Sequence, residues 1–177
     1  MKPLLLLTND DGFFAEGVQI LERRLRELGR VFIVAPDREK SATSLSLTLR
    51  RPLRLEKIRR NVFAVDGTPA DCVYLALQML LPRTPDLIIS GINRGPNLGQ
   101  QDISYSGTVA AAIQGTFLRI PSAAVSAIPD GRGCFHFDFC AAFVRNLAPK
   151  LLRQKLPVGL TLNINLPPPP IKGNRVT

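Results

Sequence analysis

The chain has no tryptophan, two tyrosines and one histidine among 177 residues. A single histidine cannot build a His-rich dinuclear centre. His136 stands between Phe135 and Phe137, where a structural role is expected of it rather than ligation. The three cysteines, Cys72, Cys134 and Cys140, form neither a CxxC pair nor a disulfide framework, so a reducing, cytoplasmic setting is expected. No apolar run approaches the ~20 residues of a membrane span. The opening Met1-Lys2-Pro3 and the leucines after it turn polar too soon for a secretory signal. Acidic residues are also scarce: 14 against 23 basic ones leave a net charge of +9.

A surplus of that size points to an anionic partner. Much of it lies in Arg50, Arg51, Arg54, Lys57, Arg59 and Arg60, relieved only by Glu56. This cluster has no nucleic-acid recognition motif and no aromatic stacking residue before Phe63. The expectation is an exposed strand pair with basic outer positions; nucleic acid is not the expected partner. An anionic small molecule would profit from the same field.

What the chain does have is a succession of short buried strands, each ending in a polar loop. Leu4-Leu5-Leu6-Leu7 reads as a strand covered on both faces. Val18, Leu21, Leu25 and Leu28 then recur at helical spacing, with Gly29 where a helix C-cap would fall. Residues 31–35 are a second buried strand, which completes a βαβ unit. Leu45, Leu47, Leu49, Leu53 and Leu55 alternate with other residues, and 62–65 follow. This predicts a hairpin-like edge or arm over about 45–65. Thr68-Pro69-Ala70-Asp71 is a capped helix start needing no chemistry to explain it. Further strands are expected at 87–89, 123–125 and 160–166, and helices at 109–118 and 137–152. The prolines at 167–170 carry the chain off the sheet. The fold class is α/β: a three-layer α/β/α Rossmann-like sheet, mostly parallel, forming one domain over residues 1–177.

In a parallel sheet the loops after the strands share one edge. The first loop offers Asn9, Asp10, Asp11 and Gly12; the second offers Ser41; the third offers Asn93 and Asn97. Adjacent aspartates repel unless a cation or a shared proton relieves them. Asn, Asp and Gly also make ordinary Asx turns, and from this loop alone both readings stay open. Two carboxylates with neutral oxygens suit Mg²⁺, Mn²⁺ or Ca²⁺ better than zinc. Ser106-Gly107-Thr108 opens a helix, so its N–H groups can receive an anion. There is no P-loop, and no cysteine is followed six residues later by arginine, the thiolate-phosphatase pattern. A carboxylate-metal phosphohydrolase survives this sorting.

Five motifs in order carry a family resemblance: Thr8-Asn9-Asp10-Asp11-Gly12; Ala35-Pro36-Asp37-Arg38 with Ser41; Gly67-Thr68-Pro69-Ala70-Asp71-Cys72-Val73; Ser90-Gly91-Ile92-Asn93 with Gly95-Pro96-Asn97-Leu98-Gly99; and Tyr105-Ser106-Gly107-Thr108-Val109-Ala110-Ala111-Ala112. They resemble the SurE survival-protein family, strongly over about residues 4–125 and again over 162–166 and 171–177. The resemblance implies a metal-dependent 5′- (and 3′-) nucleotidase, often active on short polyphosphate, with a Rossmann-like core. It implies Asp10, Asp11, Ser41 and Asn93 as ligands of one divalent cation. Asn9, Ser106, Gly107 and Thr108, with Asn97, fall in the substrate pocket. Cytoplasmic homodimers or homotetramers are implied too. Family chains usually continue for some tens of residues past the segment matching 172–177, and this chain is expected to lack that part.

The expected reaction is direct attack of water on the phosphoryl group, with Asp10 or Asp11 orienting or deprotonating that water and Asp10 favoured. Two alternatives stand beside it. One is an aspartyl-phosphate phosphotransferase, although haloacid-dehalogenase-like enzymes carry Asp-x-Asp where this chain has Asp-Asp-Gly. The other is a basic nucleic-acid-binding module.

Overall fold

The computed structural model describes residues 2–154, 156–170 and 173. The match expected over 171–177 therefore lies, Gly173 apart, outside the described residues. Among the described residues seven strands form one sheet, in the order β3-β4-β2-β1-β5-β6-β7. They are β1 (Leu4–Thr8), β2 (Arg30–Pro36), β3 (Leu55–Arg59), β4 (Val62–Val65), β5 (Leu87–Arg94), β6 (Ser122–Ala127) and β7 (Thr161–Leu166). Every pairing is parallel except that of edge strand β3 with β4. The helices are α1 (Glu16–Leu25), α2 (Pro69–Leu75), α3 (Gln100–Tyr105), α4 (Gly107–Phe117) and α5 (Phe137–Gln154), and a π-helical turn, Ala76–Leu80, extends α2. Among the described residues no helix is long and apolar enough to cross a membrane.

The leucine run of β1 explains the three layers. Successive side chains of a strand point to opposite faces. Leu5 and Leu7 pack into a core with Val18, Leu21 and Leu25 of α1 and Cys140, Ala141 and Val144 of α5. Leu4 and Leu6 pack on the other side with Cys72 and Val73 of α2 and Ala111 of α4. Both faces of the central strand are covered, so a continuous apolar run replaces alternation.

Three expectations need correction. Residues 45–54 are not a strand; the hairpin is confined to β3 and β4. The alternating leucines mislead because this segment finds its partners at a helix start instead of a sheet edge. The Thr48 N–H and hydroxyl donate to the Asp71 carboxylate (2.9 and 2.7 Å), and the Thr68 hydroxyl donates to the Ser46 carbonyl (2.7 Å). Leu49 is left 84% exposed. Gly29 is not a left-handed cap, since α1 ends at Leu25. A Cβ at Gly29 would lie 2.3 Å from the Pro3 carbonyl oxygen, so the glycine admits a close backbone approach. Finally, β5 runs on to Arg94 through residues read as loop, and α3 precedes the expected α4. The capping box of Thr68 and Asp71 is as expected. The basic residues at 50–60 lie on and beside the exposed edge strand β3, whereas its partner β4 is largely buried, and some are tethered: Arg51 to Asp66 (2.8 Å), Arg54 to Asp37 (3.5 Å) and Arg59 to Glu22 (2.6 Å).

Because Gly29 serves packing and not a positive φ, Gly29→Asn should harm the fold as much as Gly29→Ala. Each should cost about 1–3 kcal/mol, a fall of roughly 2–4 °C in melting temperature per kcal/mol for a chain of this size. Thermal melts of the two variants check this; an asparagine tolerated where alanine is not would restore the cap reading.

Candidate active site at the switch point of the sheet

Strand order decides where a ligand can sit. From β1 the sheet extends one way through β2 and β4 to β3, and the other way through β5 and β6 to β7. The connections leaving the carboxyl ends of β1 and β5 diverge there, and open α/β sheets hold ligands in the crevice so formed. A cleft of about 920 Å³ opens at this point. Its lining includes Asp10, Asp11, Ser41, Asn93, Asn97 and Ser106.

The loop after β1 is built as a turn that aims carboxylates. The Asn9 amide donates to the Gly12 carbonyl (2.8 Å) and accepts from the Gly12 N–H (3.2 Å). Gly12 takes φ +102°, which favours glycine. Asn9 is fully buried and spent on this ring, so the structure places it beneath the pocket, holding the turn. Neighbouring loops are tied on by backbone: the Lys40 N–H donates to the Asp10 carbonyl (2.7 Å) and the Phe13 N–H to the Pro36 carbonyl (2.9 Å).

Asp10 is 5% exposed. The Thr108 hydroxyl donates to its Oδ1. The start of α4 lies directly against it: a Cβ on Gly107 would come within 2.8 Å of the Asp10 Cβ. Burial raises the Asp10 carboxyl above the ordinary carboxylate range, and the Thr108 hydroxyl and the backbone N–H groups of Thr108 and Gly107 pull the other way. Gly107 and Thr108 thus sit under the cleft against Asp10, while Ser106 caps α4 by accepting from the Val109 N–H (3.1 Å) and reaches the lining. Asp11 is less enclosed and accepts from the Arg94 N–H (3.4 Å). Burial first, and the Asp10 charge second, push its pKa up to about 6.

Asn93 donates its amide to the Gly95 carbonyl (2.8 Å); its amide oxygen has no hydrogen-bond partner among the described residues. Ser41 is exposed, its hydroxyl donating to Glu39 (2.6 Å). Asn97 is held by β6 and β7: its N–H donates to Asn165 (2.8 Å), its amide to Ser126 (2.8 Å), and its carbonyl accepts from Asn163 (2.8 Å). His136 lies outside the lining and bonds Asp130 (3.1 Å), in keeping with a structural role. Sequence reasoning missed Phe14, Arg94, Tyr105 and Phe135 in the lining. Tyr105 opens the fifth motif and Arg94 stands between Asn93 and Gly95 of the fourth, which is a signal; Phe135 has none.

The donor set suits a hard divalent cation. Among the described residues neither Asp10 nor Asp11 has an ion-pair partner. No trio of His, Cys, Asp or Glu there is placed to hold a metal, so a cation would draw on two carboxylates and neutral oxygens. Mg²⁺, Mn²⁺ and Ca²⁺ accept that mixture.

The sequence model described as survival protein SurE matches residues 5–177. The chain belongs to the SurE family. A 5′-nucleotidase SurE of Geobacter sulfurreducens is 49% identical over 163 residues, 92% of this chain and 62% of the relative. One of Coxiella burnetii is 46% identical over 179 residues, 99% of this chain and 68% of the relative. The crystal structure of the SurE protein from Aquifex aeolicus superposes with a TM-score of 0.88 at 46% identity, covering 93% of this chain and 66% of that one. This SurE-family chain therefore spans about two thirds of the length of such relatives.

The raised pKa of Asp11 makes stability depend on pH. A carboxyl that holds its proton more tightly when folded makes the folded state bind more protons than the unfolded one between the two pKa values, so stability falls as pH rises there. In chelator, this contribution should decline from about pH 4 through about 6 and then level off. Asp11→Asn should match the parent near pH 4 and melt a few degrees higher near pH 7.5, on the order of 1 kcal/mol after allowance for solvent screening. Melts at the two pH values check this; a less stable variant near pH 7.5 contradicts it.

Proposed function

We propose that the chain carries the catalytic core of a divalent-metal-dependent phosphatase that releases phosphate from nucleoside 5′-monophosphates. The observation that carries the reading is the pair of adjacent aspartates, without ion-pair partners among the described residues, at the switch point of the sheet beside a helix start. The relatives' name, 5′-nucleotidase, supports the substrate class. Nucleoside 3′-monophosphates and short polyphosphate are further substrates to which the proposal extends. The setting is cytoplasmic and the assembly a homodimer or homotetramer.

Asp10, Asp11, Ser41 and Asn93 would hold the cation. When bound, it supplies Lewis-acid polarisation of a phosphoryl oxygen and a lowered pKa for a water beside it. The rest falls to the chain's own groups. Asp10 is gripped by Thr108 and the α4 start, so its role is to hold. Asp11 is the better acceptor for the proton of the attacking water, because it faces the cleft and its pKa sits nearer neutrality. This moves the base from Asp10, favoured on sequence, to its neighbour. Ser106 and the amino end of α4 stabilise negative charge growing on the phosphoryl oxygens. Asn97, pinned by Asn163, Asn165 and Ser126, shapes the wall beside them.

Asp10→Asn and Asp11→Asn should each lower metal-dependent phosphate release from AMP by about 10²–10⁴-fold. Phosphate-release assays across Mg²⁺, Mn²⁺ and Ca²⁺ check this, and full activity in either variant defeats the proposal. With a substrate chiral at phosphorus, direct hydrolysis should invert configuration by its single displacement, whereas an aspartyl-phosphate route, with two displacements, would retain it.

A further inference from the structure

We propose that Phe14 and the Arg94–Phe135 pair form the subsite that receives the nucleobase, so that the cleft recognises a phosphate ester by a flat aromatic group at its far end. The inference rests on the phosphatase reading for the placement of the phosphoryl group. Its own support is the aromatic part of the lining.

Phe14 is 60% exposed only a few residues beyond the aspartate pair. Its ring is held in place all the same: Phe13 stands edge-on to it, centroids 5.5 Å apart at 86°, and Phe13 packs against the core. An exposed phenylalanine fixed at the lining of a cleft contributes little to folding and offers an apolar face to a ligand. Phe137 is buried at the start of α5, in the same core that Phe13 packs against. Phe135 stacks on it, centroids 5.7 Å apart at 11°, and the Arg94 guanidinium lies over the Phe135 ring at 5.2 Å. The stack thus runs from the core to a cation whose own backbone N–H bonds Asp11. Asp130 fixes the loop that bears Phe135, accepting from the N–H groups of Arg132 (2.8 Å) and Cys134 (3.0 Å) and bonding His136 (3.1 Å).

Charge selects among ligands for this wall. Among the described residues the lining beyond the aspartate pair carries Glu16, Glu39 and Asp102, against Arg94 as its one basic residue. A neutral purine or pyrimidine meets rings and a guanidinium plane, both of which stack on bases.

Stacking of one base on one aromatic corresponds to about 5- to 150-fold in binding. In Phe14→Ala, and separately in Phe135→Ala, the ratio of kcat/KM for AMP to that for ribose 5-phosphate should fall within that range. If Phe135→Ala fails to fold, Phe14→Ala carries the test, since that side chain is mostly exposed. A second readout needs no turnover. The chain has no tryptophan, so Phe14→Trp places a single indole at the site. Its emission should be quenched by adenosine and not by ribose 5-phosphate, and its AMP preference should return to the parent value. An unchanged substrate ratio in the alanine variants, or emission that answers equally to adenosine and ribose 5-phosphate, overturns the inference. Quenching by adenosine without hydrolysis of AMP would uphold the subsite and defeat the phosphatase; hydrolysis with an unchanged ratio would do the reverse.

Discussion

Two neighbouring carboxylates held at the end of a fully buried strand are the constraint on which the rest of this structure turns. Leu5, Leu6 and Leu7 are inaccessible to solvent, so Asp10 and Asp11 cannot swing away without disturbing the central strand. Burial and mutual repulsion disfavour charge on both. The fold answers with partial remedies: a hydroxyl from Thr108, the amino end of α4, and the Arg94 N–H. None of these is a full countercharge. We propose that a bound cation supplies the remainder.

Much of the surrounding structure keeps that requirement in place. Gly107 has no side chain, and so α4 can approach Asp10 closely enough to lend its dipole. The loops after β1 and β2 are joined through the Asp10 and Pro36 carbonyls, which brings Ser41 into the same cleft. On the other side, Asn163 and Asn165 of β7 fix the loop of Asn97 by its backbone. Three loops from distant parts of the chain thus share a frame, and SurE-family membership over residues 5–177 covers all of it.

The central strands were legible because burial on both faces leaves an unbroken apolar run, as in β1 and β2. The aspartate pair was legible as chemistry because adjacent like charges at a strand end need an explanation. Residues 45–54 were misread because their alternation belongs to a segment whose partners, Asp71 and Thr68, lie far along the chain. Gly29 was misread because a sequence does not distinguish a glycine required by φ from one required by a close approach. Within the site, Thr108 looked like part of an anion cradle, whereas the structure turns its hydroxyl to Asp10. No spacing rule marks Phe14 and Phe135 as neighbours of one cleft; only the folding of the β1–α1 and β6–α5 connections puts them there.

The claim that the aspartate pair is completed by a cation is tested most directly by calorimetric titration of Mg²⁺ or Mn²⁺ into the chain in buffers of different ionisation enthalpy. A ligand carboxyl with a pKa of about 6 must release its proton to bind metal. One cation should bind per chain, with proton release near pH 6 that fades by about pH 8 and shrinks in Asp11→Asn. Absence of binding, or binding untouched by Asp10→Asn and unaccompanied by protons near pH 6, would contradict it.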